Sequence, residues 1–317
     1  MTRAPIPFWK YHGAGNDFVV VDLRESPVDD PISLSIRVCQ RRLGLGADGL
    51  LLIGPTVVDG CDVSMRIVNA DGSHAEMCGN GLRCVVKHVL DARLAGDRRT
   101  GDRLTVETGA GPLACTAHRG DDGRVDTVRV AMGKPILDRA EIPVAGTEAV
   151  EGRPIREEIV HPLGETFRFT AVSMGNPHAV IFCDEGEVDD EAPVDLARHF
   201  GPGLESHAMF PKKVNVAFVR AEGAHLTAAV YERGAGLTAA CGTGACAIGV
   251  AAGLEDRVPW GTPLDVTLPG GTLTIVVEPS LENVHMTGPA RLVYQSEVDP
   301  DALASVDACR ALTTALQ

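Results

Sequence analysis

The sequence is poor in aromatic residues, with eight phenylalanines, three tyrosines and two tryptophans making 4% of 317 residues. No basic patch alternates with them, so a stacking platform for single-stranded nucleic acid is excluded. Positive charge is scarce too. Lysine and arginine number 29 against 43 acidic side chains, and a formal charge of −14 opposes the phosphate backbone and anionic membrane surfaces. No run of 18 apolar residues occurs, and the opening MTRAPIPFWKYHGAGND lacks an apolar stretch, so neither a membrane span nor a secretion signal is expected. CxxC spacing is missing. The nine cysteines, at 39, 61, 78, 84, 115, 183, 241, 246 and 309, are odd in number and irregularly placed, which speaks against a disulfide framework and for a reducing cytoplasm. A small-molecule ligand is what these absences leave.

What is present is an ordinary globular balance, 44% hydrophobic and 23% charged, on a chain long enough for two domains. Runs rich in β-branched residues recur at 18–23, 50–54, 63–70, 104–109, 127–133, 167–175, 179–184, 214–220, 226–233, 264–279 and 284–288. Only 81–96 and 242–256 read as long buried helices, so strand and helix do not alternate and the class is α+β, or mixed α/β. The segment 242–256 is apolar nearly all round, which suits a central helix wrapped by a curved mixed sheet. The segment 81–96 carries Arg83, Lys87, His88 and Arg93, and one of its edges is expected to reach solvent.

The chain repeats itself. Asn69-Ala-Asp-Gly-Ser-His-Ala-Glu-Met-Cys78-Gly-Asn-Gly aligns without gaps on Glu232-Arg-Gly-Ala-Gly-Leu-Thr-Ala-Ala-Cys241-Gly-Thr-Gly. Upstream, Gly15-Asn16-Asp17-Phe18 and Gly175-Asn176-Pro177-His178 precede the two cysteines at similar distances. Two pseudo-symmetric domains are expected, 1–133 rejoined by 288–317, and 134–287, with the join near 132–137.

In each copy a thiol stands where a helix begins, and there the unpaired N–H groups and the positive dipole end favour a thiolate. The first-turn amides of Gly79, Asn80, Gly242 and Thr243 could hold a carboxylate. Halves that face each other would set the two thiols across one cleft. Inverting an amino-acid centre needs a base on one face of the α-carbon and an acid on the other, and two cysteines in opposite protonation states supply both. Nothing singles out a lysine for pyridoxal phosphate, and no cofactor or metal is expected.

The motifs HGAGNDFVVVD, GADGLLLIG, NADGSHAEMCGNGLRC, MGNPH, VNVAFV, YERGAGLTAACGTGACA and TGPARLVY, spread over 8–295, resemble the diaminopimelate epimerase family. The resemblance implies a cofactor-free homodimer that converts LL-diaminopimelate to the meso isomer for lysine and cell-wall precursor synthesis. It implies Cys78 as proton donor and Cys241 as acceptor, with His178 and Glu232 setting the thiol protonation states. Asn16, Asn69, Asn176, Asn215, Glu232 and Arg233 match substrate-holding positions, and Tyr294 matches a dimer contact. Two positions depart from the pattern. Gly49 stands where some members carry a glutamine, and Leu237 where an acidic residue is common. Residues 146–166 and the tail beyond 296 read as surface additions.

Rival readings are weaker. Cys78/Cys84 and Cys241/Cys246 lack zinc-ligand spacing, and the second member of each pair falls inside a helix as a core thiol. Gly44-Leu-Gly46-Ala-Asp-Gly49 fits GxGxxG but leads into a strand, which removes the mechanism of a dinucleotide fingerprint. A racemase of another amino acid, such as histidine, is the alternative within the same chemistry.

Overall fold

A computed structural model of the chain describes residues 4–75, 77–91, 101–145, 155–183 and 191–316. The chain forms two compact units, 1–130 with 288–317, and 131–287. In chain order the first unit opens with β1 (Ile6–Gly13), β2 (Asn16–Asp22), α1 (Pro31–Cys39), β3 (Gly49–Gly54), β4 (Val63–Asn69), β5 (His74–Ala75), α2 (Gly79–Asp91), β6 (Arg103–Thr108), β7 (Gly111–Arg119) and β8 (Val125–Ala131). The second holds β9 (Ile155–Val160), β10 (Thr166–Ser173), β11 (Pro177–Phe182), α3 (Pro193–Glu205), β12 (Asn215–Glu222), β13 (His225–Glu232), β14 (Gly236–Leu237), α4 (Gly242–Leu254), β15 (Leu264–Leu268), β16 (Gly271–Val277) and β17 (Val284–Pro289). The chain ends in the first unit with β18 (Arg291–Val298) and α5 (Val306–Leu316).

The repeat in the sequence is a repeat of pairing. In the first unit β1 runs antiparallel to β2, β2 parallel to β3, β3 antiparallel to β4, β4 antiparallel to β5 and parallel to β6, and β6, β7 and β8 form a meander. Strands β10 to β17 follow the same sequence of directions. A helix follows the second strand of each series, and another follows the short hairpin. Each unit is thus a mixed sheet around a buried helix.

The sheets explain the segments read as additions. Strand β18 lies antiparallel on β1, and β9 lies antiparallel on β10, so each series is extended by one strand at the same edge. Ile155 and Ile159 of β9 enter the core with Phe167, Phe169, Phe200 and Phe218, which makes 155–160 a sheet strand, whereas 146–154 lie outside the described residues. The tail also docks: Arg37 of α1 donates to the carbonyls of Pro300, Leu303 and Ala304, and Cys309 of α5 is buried.

Helix α4 is buried throughout except at its polar and terminal residues, packed by β10, β11, β12, β15 and β16. Small residues make this possible; a Cβ at Gly249 would stand 2.7 Å from Ile275 Cγ2. Helix α2 corrects the expectation of a wet edge. Arg83, Lys87 and His88 are all buried, because the cations find acceptors: Lys87 bonds Asp91 and the Val125 carbonyl, and Arg83 bonds Asn80 and two carbonyls. Arg93 lies outside the described residues. No helix among the described residues is long and apolar enough to cross a membrane.

Candidate active site

Both cysteines cap the helices they precede. Cys241 is the N-cap of α4, and its Sγ accepts the amide of Gly244 at 3.3 Å. Cys78 stands before α2 in the same way, its Sγ accepting the amide of Gly81 at 3.4 Å while its carbonyl accepts from Leu82. The sulfur therefore satisfies one first-turn amide itself. Gly79 and Asn80 open α2, and Gly242 and Thr243 open α4, so all four lie in first turns.

Within the first unit, Asn16 heads β2 and its Oδ1 lies 3.7 Å from Cys78 Sγ and 3.2 Å from Asn80 Nδ2. Asn16 Nδ2 donates to Asp48 at 2.7 Å, and Arg41 spans Asp17 and Asp48. Asn69 closes β4 and donates to Ser73 Oγ at 2.9 Å, which orders the tight loop before Cys78.

Within the second unit, His178 Nε2 lies 3.1 Å from Asn176 Oδ1 and 3.2 Å from Thr243 Oγ1, and that hydroxyl is 3.5 Å from Cys241 Sγ. Burial, then the Arg233 charge, lowers the His178 pKa to about 3, so the ring is neutral at working pH. With Nε2–H given to Asn176, Nδ1 is a buried acceptor that meets no partner among the described residues. Cys241 is pushed well above the ordinary thiol range by burial first and by the Glu232 carboxylate second. The helix start thus does not make it a resting thiolate. Glu232 accepts from Thr238 Oγ1 at 2.5 Å as well as facing the thiol.

Asn215 is buried with both ends of its amide engaged, Nδ2 on the Pro177 carbonyl at 2.8 Å and Oδ1 under the Arg233 amide at 2.9 Å. Arg233 is exposed and touches the Lys212 carbonyl. Tyr294, on the exposed strand β18 beside Leu292 and Val293, meets Phe8 edge-on at 5.8 Å. Leu237 packs on the core of its unit, and Gly49 occupies the first position of β3. Cys84 and Cys246 are fully buried within α2 and α4.

Asp48, Arg83 and Thr238 are the polar neighbours that sequence reading passed over. Arg83 and Asp48 sit inside the quoted motifs NADGSHAEMCGNGLRC and GADGLLLIG; Arg83 reaches Asn80 three residues before it on α2, whereas only the pairing of β2 with β3 brings Asp48 to Asn16.

Comparison with known proteins agrees with this layout. The diaminopimelate epimerase family matches residues 8–137 and 170–293. The diaminopimelate epimerase of Agathobacter rectalis is 44% identical over 296 residues, covering 92% of this chain and 99% of its own. That of Moorella thermoacetica is also 44% identical over 296 residues, covering 93% and 99%. Among solved structures, a hydroxyproline epimerase from Agrobacterium vitis shares the fold with a TM-score of 0.69 at 16% identity, covering 95% of this chain and 94% of its own.

Two mixed-sheet units, each built on a cysteine-headed buried helix, define an isomerase of the amino-acid epimerase class. Identity over nearly the whole chain narrows the class. The chain belongs to the diaminopimelate epimerase family.

Proposed function

We propose that the chain interconverts LL- and meso-2,6-diaminopimelate by a two-base reaction at one α-carbon. The observation that carries this reading is the doubled cap: two thiols, each seated on the third amide of its own buried helix in units of one strand order. In the LL-to-meso direction Glu232, which the Cys241 thiol faces, takes that thiol's proton. The Cys241 thiolate then removes the α-hydrogen, and the Cys78 S–H delivers its proton to the other face. The reverse reaction exchanges the two roles.

An α-hydrogen is very weakly acidic, so the charge that develops on the substrate carboxylate must be met by donors already in place. The first-turn amides of Gly79, Asn80, Gly242 and Thr243 serve that purpose. Arg233 supplies a cation for the distal carboxylate, and Glu232 with Asn16, Asn69 and Asn176 receives ammonium groups and orients them. Asn215 acts by holding the Arg233 backbone. The protein works in the cytoplasm as a homodimer joined through the Tyr294 strand, without nucleic acid or membrane.

The test is washout of the α-hydrogen in deuterated buffer across a panel of amino acids without added cofactor. Exchange confined to LL- and meso-diaminopimelate supports the reading. Exchange of histidine or another amino acid, with diaminopimelate inert, transfers the assignment to the alternative racemase.

A further inference from the structure

Behind Cys78 stands a row of polar side chains whose direction is fixed at both ends. Arg83 Nη2 donates to Asn80 Oδ1 at 2.9 Å, Asn80 Nδ2 donates to Asn16 Oδ1 at 3.2 Å, and Asn16 Nδ2 donates to Asp48 Oδ2 at 2.7 Å. A guanidinium only donates and an ionised carboxylate only accepts. Arg83 therefore obliges Asn80 to offer its NH2 to Asn16, and Asp48 obliges Asn16 to turn its own NH2 away from the sulfur. Beside the Gly81 amide that the sulfur accepts at 3.4 Å, the atom that Asn16 turns toward Cys78, at 3.7 Å, is an oxygen. Only S–H is attracted to it; a thiolate would be repelled.

The arrangement is costly to maintain. Arg83 is fully buried, and its charge is tolerated because its N–H groups also reach the carbonyls of Gly79 and Pro289. Gly13 makes room, since a Cβ there would stand 2.9 Å from the Asn80 carbonyl oxygen and 3.2 Å from Arg83 Nη2. At the other end Asp48 is held by the Asp17 amide at 3.0 Å and by Arg41 at 2.7 Å. The second unit carries other residues at the matching places. The residues matching Asn80 and Arg83 by the repeat are Thr243 and Cys246, and a hydroxyl both donates and accepts, so it follows Cys241 through either protonation state.

We infer that Arg83 and Asp48 are positioning residues which, through Asn80 and Asn16, present an acceptor to Cys78 and so favour its thiol form when solvent reprotonates it after each turnover, as Glu232 gives its proton back to solvent, and thereby make it the proton donor of the pair. This rests on the reading of Cys78 as one of two catalytic bases.

The test is the rate at which iodoacetamide alkylates Cys78 at pH 7 in the full chain, followed by peptide mass mapping. Releasing one end leaves the other holding, so Arg83→Met and Asp48→Ala should each change the rate by less than about threefold, whereas the double variant should raise it about tenfold. With both ends free, Asn16 turns an N–H to the sulfur and stabilises the thiolate. Arg83→Lys with Asp48→Ala keeps the donor and should behave as Asp48→Ala alone. A folded double variant that alkylates at the wild-type rate overturns the inference, as does equality of the Lys and Met double variants. Should Arg83→Met not fold, the infrared S–H stretch of the wild-type protein decides. A band at pH 8 that disappears in Cys78→Ala is expected, and its absence refutes the proposal. None of these readouts uses substrate, so failure to turn over diaminopimelate would sink the proposed activity while leaving them legible.

Discussion

Gly49 and Asn215 occupy one position in the two units: Gly49 is the register partner of Phe18 on β2, and Asn215 that of His178 on β11. Their burdens differ. Asn215 ties the buried Pro177 carbonyl and the part-buried Arg233 amide, whereas the nearest atoms a Cβ at Gly49 would meet are the Val68 carbonyl oxygen at 3.2 Å and the Phe18 ring at 3.7 Å. Asn215→Ala should cost roughly 2–3 kcal/mol by urea unfolding and raise KM through a displaced Arg233. Gly49→Ala should cost under about 1 kcal/mol, since the neighbours need give only slightly. Equal losses at the two positions would show that the repeat does not apportion work in this way.

That pair also shows how far the residues alone could be read. The cysteines and their glycines were visible because a helix start leaves a local mark, and α4 because its apolar ring is continuous. Helix α1 carried a legible signal, Asp30 as N-cap with Pro31 after it, but its nine residues are too short for periodicity to stand out. Helix α3 hides behind an internal Pro202 and two glycines. Strands β15 and β16 read as one run until Pro269-Gly270 is seen as their turn. The charged residues of α2 were misjudged for a different reason. Burial of Arg83 depends on an acceptor 206 positions away in the chain, the Pro289 carbonyl, which no local pattern reports.

Glu232→Gln separates two effects of one carboxylate. Glu232 raises the Cys241 pKa, second to burial, so removing its charge should move Cys241 alkylation to lower pH. The same change removes the group proposed to take the thiol proton, and kcat should fall by roughly 10²–10⁴-fold. Stopped assays in both directions, run beside an alkylation profile, check the pair of outcomes. An alkylation profile that stays put or moves to higher pH contradicts the contact.

His88 should make the fold acid-sensitive. It is buried against Trp9 at 4.5 Å and Tyr11 at 5.8 Å, and burial lowers its pKa from 6.5 to about 4. Between those values the unfolded chain binds a proton there that the folded chain does not, so acidification favours unfolding. The interval corresponds to roughly 3 kcal/mol at its lower end. His178, lowered to about 3, adds in the same direction. His88→Phe should therefore flatten the stability profile between pH 6.5 and pH 4 in urea melts. An unchanged slope would show that the ring is already protonated in the fold.

The docked tail should matter to stability although it follows the matched family region. Arg37 gives hydrogen bonds to three carbonyls spaced along 300–304, and α5 buries Cys309. Arg37→Ala leaves those carbonyls to find water, and a loss of about 1–3 kcal/mol is expected, with hydrogen exchange rising first in α5. Exchange that rises uniformly over the chain would mean that the tail unfolds only with everything else.

The proposed two-base reaction sets the Cys78 and Cys241 sulfurs on opposite faces of one substrate carbon, and thiols so placed are expected to oxidise to each other when no substrate is bound. Of the nine cysteines, Cys78 is the one that is not buried, so oxidant reaches it first. Burial slows direct attack on Cys241, but under the proposed reaction a sulfenic acid formed on Cys78 is attacked by the Cys241 sulfur, Glu232 taking the thiol proton and water leaving. Mild peroxide should therefore yield one intramolecular disulfide, Cys78 to Cys241, with activity lost and restored by thiol reductant. Bound diaminopimelate, by standing between the sulfurs, should protect. Mapping that finds Cys78 joined to Cys84, or capped singly with substrate offering no protection, would separate the two thiols and with them the two-base reaction.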